Sequence, residues 1–120
     1  IFVLCMLFGF NHQQYVTMLP KSITTAIGIG ISEELGGIVQ ITVAVIIITG
    51  ILGNVIADTV FHIFKIKIIA KGLALGTASH AIGTARAIEM GPVEGAMSSL
   101  AVAVAGLLTV VFVSGFAQLI

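Results

Sequence analysis

Charge is scarce in this sequence. Only 8% of its 120 residues are Asp, Glu, Lys or Arg, against roughly 25% in an average soluble domain. A domain this small leaves much of its surface in water and needs polar groups to cover it, so a soluble globular fold is excluded. Five basic residues balance five acidic ones, and without a basic excess or cluster nucleic-acid binding is excluded too. There is no tryptophan and a single cysteine, Cys5. One cysteine rules out an internal disulfide and a cysteine-based zinc cluster. Cys5 reads as a small apolar residue facing lipid or a neighbouring helix. No ligand spacing suits a metal, and no cofactor is expected. What the chain does have is 58% hydrophobic residues, 14 glycines and a mean hydropathy of +1.23. Such a composition is not that of a disordered segment.

The chain opens without methionine on the apolar run Ile1-Phe-Val-Leu-Cys-Met-Leu-Phe-Gly-Phe10. No basic residue precedes the run and no small-residue cleavage site follows it, so it is not a signal peptide. It reads as the tail of a membrane helix. On that expectation residues 1–120 form one transmembrane domain, the C-terminal part of a longer membrane protein.

Two stretches are long enough to cross a bilayer, which takes about 20 apolar residues. Residues 35–57 carry no charge, and the helix predicted there continues toward Phe64. Residues 95–120 are also uncharged, with Ala101, Ala103, Ala105 and Gly106 offering a small-residue surface for close packing. Neither stretch alternates apolar and polar residues as a barrel strand would, so both are read as helices.

Two other uncharged stretches are too short. One runs from Ser22 to Ser32, between Lys21 and Glu33, and the other from Gly72 to Ala85, between Lys71 and Arg86. As a helix the first would reach roughly 16 Å, about half a bilayer core. Both are rich in Gly, Ser and Thr, and each precedes a full span. They are related by a weak repeat: Ile27-Gly28, Glu34 and Gly36 match Ile82-Gly83, Glu89 and Gly91 at an offset of 55. Paired short, Gly-interrupted hydrophobic segments in corresponding positions point to a transporter binding site. A helix that stops inside the membrane leaves unpaired N–H groups and a positive dipole end, which attract an anion. Lys65, Lys67 and Lys71 share one short loop, with Asp58 just before it, and the positive-inside rule puts that loop in the cytoplasm.

Candidate chemistry lies in the short segments. Ser79, Gly83 and Arg86 share one helical face, with His80 and Thr84 beside them. Arg86, the only arginine, could hold a carboxylate or simply pair with Glu89. His80 could carry a proton near neutral pH or be a hydrogen-bonded packing residue. Ser22, Thr24 and Thr25 could bind substrate or bond back to their own helix. Glu33 and Glu34 could relay protons, or be a solvated pair at a helix exit. Gly36-Gly37 is predicted to turn the chain into the next span, and His12 to be solvated. Gly28-Ile-Gly30 does not continue as GxGxxG, and no acid completes a triad with Ser79-His80. Gly72…Gly76 and Gly91…Gly95 are weak GxxxG matches outside any long apolar helix.

Leu19-Pro-Lys-Ser-Ile-Thr-Thr25, Ile31-Ser-Glu-Glu-Leu-Gly-Gly-Ile38, Ile48-Thr-Gly-Ile-Leu-Gly53, the stretch from Lys71 to Arg86 and Val93-Glu-Gly-Ala-Met-Ser-Ser-Leu100 closely resemble the CidB/LrgB family of membrane proteins. The likeness covers nearly the whole chain from Leu19 on. Pro20, Lys21, Ser22, Thr24, Thr25, Ser79, His80, Gly83, Thr84 and Arg86 fall within the matching motifs. The family usually has proline after the Thr-Thr pair, where this chain has Ala26, so the first helix break is expected at Gly28 and Gly30. The resemblance implies an all-α polytopic membrane protein of the plasma (inner) membrane with two discontinuous helices, like a secondary transporter. It implies two functional traditions. One is antiholin-like control of murein hydrolase activity and autolysis. The other is transport of small carboxylates such as glycolate, glycerate or pyruvate, with His80, Glu33 and Glu34 as candidates for proton coupling. Membrane lipid, a small CidA/LrgA-type membrane protein and a second copy of the chain are the implied partners. An enzyme is not expected.

Overall fold

Glycine and proline set the helix ends. In the computed structural model, which describes all residues Ile1–Ile120, there are six helices and no strand: α1 (Phe2–Leu7), α2 (His12–Met18), α3 (Thr25–Glu34), α4 (Val39–Ile63), α5 (Ile68–Met90) and α6 (Pro92–Ala117). After α3 the chain takes a left-handed residue, Gly36 at φ +76, and the Gly37 N–H closes back on the Ser32 carbonyl at 2.7 Å, the six-to-one bond of a Schellman end. The predicted turn at Gly36-Gly37 is therefore there. α4 ends the same way, with Lys65 at φ +50 and the Ile66 N–H on the Phe61 carbonyl. Pro92 starts α6 at a position where its missing N–H costs nothing.

α4 and α6, at 25 and 26 residues, are the helices long and apolar enough to cross a membrane. They carry rows of exposed apolar side chains, among them Ile48, Leu52 and Val55 on α4 and Leu107, Val111 and Phe112 on α6. Such surfaces suit lipid and not water.

α5 is not one rod. His80 has φ +43 and ψ −134, and the chain reverses there into arms 68–79 and 81–90. Packing proves the reversal. On the first arm Gly72 lies against the Glu94 carbonyl and Gly76 against the Ser98 carbonyl, so this arm runs parallel to α6. On the second, Thr84 bonds Ser98 and Ile88 packs on Gly95, so this arm runs antiparallel to α6. The Gly72 and Gly76 pair, weak as a motif, thus seats the first arm directly on the α6 backbone.

A second hairpin enters from the opposite end. Asn11 caps α2 with a reciprocal capping box. His12 Nδ1 bonds the Ile120 carbonyl at 2.7 Å, and the Tyr15 hydroxyl donates to the Phe116 carbonyl at 2.7 Å. Leu19 then lies beside Phe112 and Leu108, and Thr24 beside Gly106. The chain therefore descends along α6, turns through residues 20–24, and returns as α3. The return runs antiparallel to α4, because Gly28 packs on Ile46 while Ser32 bonds Thr42 at 2.8 Å. The break sits at residues 20–24, not at Gly28 and Gly30 as the missing family proline suggested. Both glycines are helical in α3. Gly28 marks the contact with α4, where an added Cβ would press on the end of the Ile46 side chain.

The two hairpins answer the weak repeat in the sequence. α3 corresponds to the second arm of α5, Gly36 to Gly91, and α4 to α6. The copies enter from opposite ends, one beside the exposed Glu33 and Glu34 and the other beside Lys65, Lys67 and Lys71. This is the pattern of an inverted-topology repeat. Two small cores hold the ends: Cys5, Tyr15, Val16 and Ala117 at the glutamate end, and Ala57, Phe61, Leu75 and Ala87 at the lysine end. Cys5 accordingly faces neighbouring helices.

Candidate functional site at the hairpin tips

Both tips rest on the same stretch of α4. Gly28, in the first turn of α3, packs on the Ile46 side chain, and His80 Nε2 lies 2.9 Å from the Ile46 carbonyl. The imidazole also covers Gly50, where a Cβ would stand 2.7 Å from its Cε1. Ile46 and Gly50 both lie shortly before Ile51, the middle residue of a helix that runs from Val39 to Ile63. The tips therefore sit near its midpoint.

At the second tip the backbone of His80 occupies a region that L-residues avoid. Such a residue costs about 1–3 kcal/mol and persists only where its surroundings force it. Here they do. Ser79 fills the space beside Gly53, and the Thr84 hydroxyl donates to the His80 carbonyl at 2.9 Å. Having spent its proton there, Thr84 accepts from Ser98, 2.8 Å away. Gly83 lets the two arms touch, since a Cβ would stand 2.5 Å from the Leu75 carbonyl. Ser79 and His80 are buried, at 1% and 3% exposure. A carbonyl only accepts, so Nε2 carries the hydrogen of that bond.

The first tip holds Ser22, Thr24 and Thr25, all half-buried. Thr24 is the extended N-cap of α3 and makes no side-chain cap bond. Lys21 donates from Nζ to Ser22 Oγ at 2.6 Å.

The structure thus gathers Ser79, His80, Gly83 and Thr84 at one tip and Ser22, Thr24 and Thr25 at the other. It does not gather the remaining candidates. Glu33 and Glu34 are exposed at the far end of α3, roughly 12 Å along the helix from Thr25. Arg86 bonds Glu89 at 2.7 Å and also Asp58 on α4. Asp58 lies beyond Gly50, roughly 12 Å along α4 toward the lysine end. Sequence reasoning left Ser98 and Asp58 out of the site. Asp58 carries a recoverable signal as an acid inside a long apolar helix, whereas the Ile46 carbonyl carries none.

A family model described as the LrgB-like family matches residues 1–119. The chain belongs to the LrgB-like family. Among its relatives are antiholin-like LrgB proteins of Bacillus cereus (strains B4264 and AH187) and Bacillus anthracis (strain CDC 684 / NRRL 3495). Each is 44% identical over 117 residues, covering 97% of this chain and 51% of the relative. The chain spans about half the length of these curated relatives. No solved structure matches it. Membership of the LrgB-like family agrees with the all-helical fold and its two long apolar helices, and makes this a membrane protein.

Proposed function

We propose that the chain is part of an antiholin-like, non-enzymatic membrane protein of the LrgB type, acting on murein hydrolase activity and autolysis. The observation behind this reading is the 44% identity to proteins named antiholin-like LrgB. In this proposal the protein is multi-pass in the plasma membrane, with its lysine end in the cytoplasm. It works with a small CidA/LrgA-type membrane protein and as a homo-oligomer.

The geometry favours a mechanistic reading within that role: a carrier of small carboxylates such as glycolate, glycerate or pyruvate. What supports it is the pair of opposed hairpins meeting on α4 beside Ile46 and Gly50. Interrupted helices that end at mid-membrane expose backbone poles to a solute, and rocking of one repeat against the other moves access from side to side. The hydroxyls of Ser22, Thr24, Thr25, Ser79 and Thr84 would orient the carboxylate, and His80 Nδ1 would carry the proton. Arg86, saturated by Asp58 and Glu89, would clamp the second hairpin to α4.

The test is counterflow in proteoliposomes holding the full-length protein and its small partner. Saturable pyruvate uptake that speeds up when pyruvate is loaded on the far side supports the carrier. Flux that never saturates points to a pore and removes it. Arg86→Gln should leave the KM for pyruvate unchanged while loosening the hairpin. A large rise in KM would instead place Arg86 in the binding site.

A further inference from the structure

Of the five cations in the chain, four are accounted for. Lys65, Lys67 and Lys71 stand at one end, and Arg86 has two carboxylates. Lys21 is the fifth. It is the sole Asp, Glu, Lys or Arg before Glu33, and it sits at the tip of the first hairpin, directly after Pro20. The Pro20 carbonyl faces Gly28, where a Cβ would stand 3.7 Å from it, and Gly28 packs on Ile46. Lys21 is therefore carried about level with Ile46, within roughly two turns of the α4 midpoint, half-buried, with no ion pair.

We infer that Lys21 is the cation that holds the carboxylate of a small anion between the hairpin tips. The inference rests on the carrier reading above and names the recognising group. An ammonium at mid-membrane is costly unless a counter-charge meets it. No acid of this chain does so: Glu33 and Glu34 lie at the far end of α3, Asp58 and Glu89 are on Arg86, and Glu94 is at the foot of α6. The counter-charge must come from outside the chain. An ammonium has three donors, and the only bond Nζ makes is to Ser22 Oγ. Because Ser22 accepts there, its own hydroxyl proton is free for the same guest. Thr24, without a cap bond, stands close by on the same turn. A lysine and a hydroxyl side by side offer a carboxylate a point charge and at least two short donor bonds. A compact ammonium on a flexible stem holds its guest as a point charge, without the fixed fork of a guanidinium.

The experiment uses the full-length protein in detergent with pyruvate as the probe. Amine-reactive labelling read by mass spectrometry should slow roughly tenfold at Lys21 under saturating pyruvate, with Lys65 unchanged. Lys21→Gln should weaken pyruvate binding, followed as a ligand-induced rise in Tm, by roughly tenfold or more, and Lys21→Arg by less. Labelling of Lys21 that ignores pyruvate overturns the inference, and would mean that a carboxylate of the remaining part of the protein holds the lysine. So would a Lys21→Gln variant that binds as tightly as wild type. If Lys21→Gln does not fold, the wild-type labelling decides alone. Protection at Lys21 without counterflow in vesicles would refute carriage and leave the Lys21 site standing.

Discussion

Gly76→Val should cost the protein the seat of its second hairpin. A Cβ at Gly76 collides with the Ser98 carbonyl and stands 2.8 Å from Ala101 Cβ. The first obstacle is backbone, so no side chain can swing aside. Overpacking a well-packed contact costs typically about 1–3 kcal/mol. With a helix backbone as the obstacle, the expected loss is about 3 kcal/mol or more. That is a large fraction of a marginal stability of roughly 5–15 kcal/mol. Chemical unfolding in detergent should show the loss directly. Gly30 is the control. It lies inside α3 with no atom within 4 Å of an added Cβ. Gly30→Ala should be neutral or stabilise by up to about 1 kcal/mol, the usual helix preference for alanine. A Gly76→Val protein as stable as wild type would mean that the first arm of α5 does not lie on α6.

The second large effect is at His80, where stability and activity should part. In an ordinary helix alanine is better than glycine by roughly 0.5–1 kcal/mol. At φ +43 the order should reverse. His80→Gly should be about 1–2 kcal/mol more stable than His80→Ala, because glycine alone adopts that backbone without strain. Both variants lose the imidazole and its bond to the Ile46 carbonyl. If the proposed carrier reading holds, proton-coupled carboxylate flux should fall to background in both. Unfolding midpoints and proteoliposome uptake, measured on the same preparations, decide the matter. If His80→Gly transports like wild type, the imidazole only packs. If alanine is the more stable of the two, the bend at residue 80 is absent.

The candidate residues differ in how far local pattern could place them. Arg86 carries two readings in the sequence, ligand for a carboxylate or partner of Glu89. What decides its contacts is Asp58, far earlier in the chain and brought alongside by the hairpin. Lys21 was legible as the lone charge before Glu33, yet its depth depends on Gly28 meeting Ile46. His80 gives no local sign of a break, having neither Pro nor Gly at its own position. Its strained conformation is held by contacts with Ile46 and Gly50 on another helix, with Thr84 bonding the His80 carbonyl from one turn on. The first break shows the converse. Gly28 and Gly30 looked like breakers, but a glycine inside a helix is also a place where another helix can come close.

By itself, the sequence determined the class of solvent and marked the two stretches long and apolar enough to cross it. The chain has too few charges to cover a surface in water, and two uncharged stretches are each long enough to span a bilayer. It also determined that the two shorter stretches could not cross alone, since length multiplied by helical rise falls short of a bilayer. Whether those stretches would fold back, from which end, and which side chains would meet at their tips was decided only by tertiary packing. Those outcomes depend on close glycine contacts such as Gly28 with Ile46, Gly50 with His80 and Gly76 with Ser98. The partners stand many helical turns apart in the chain, and a contact of that range leaves no period in the sequence.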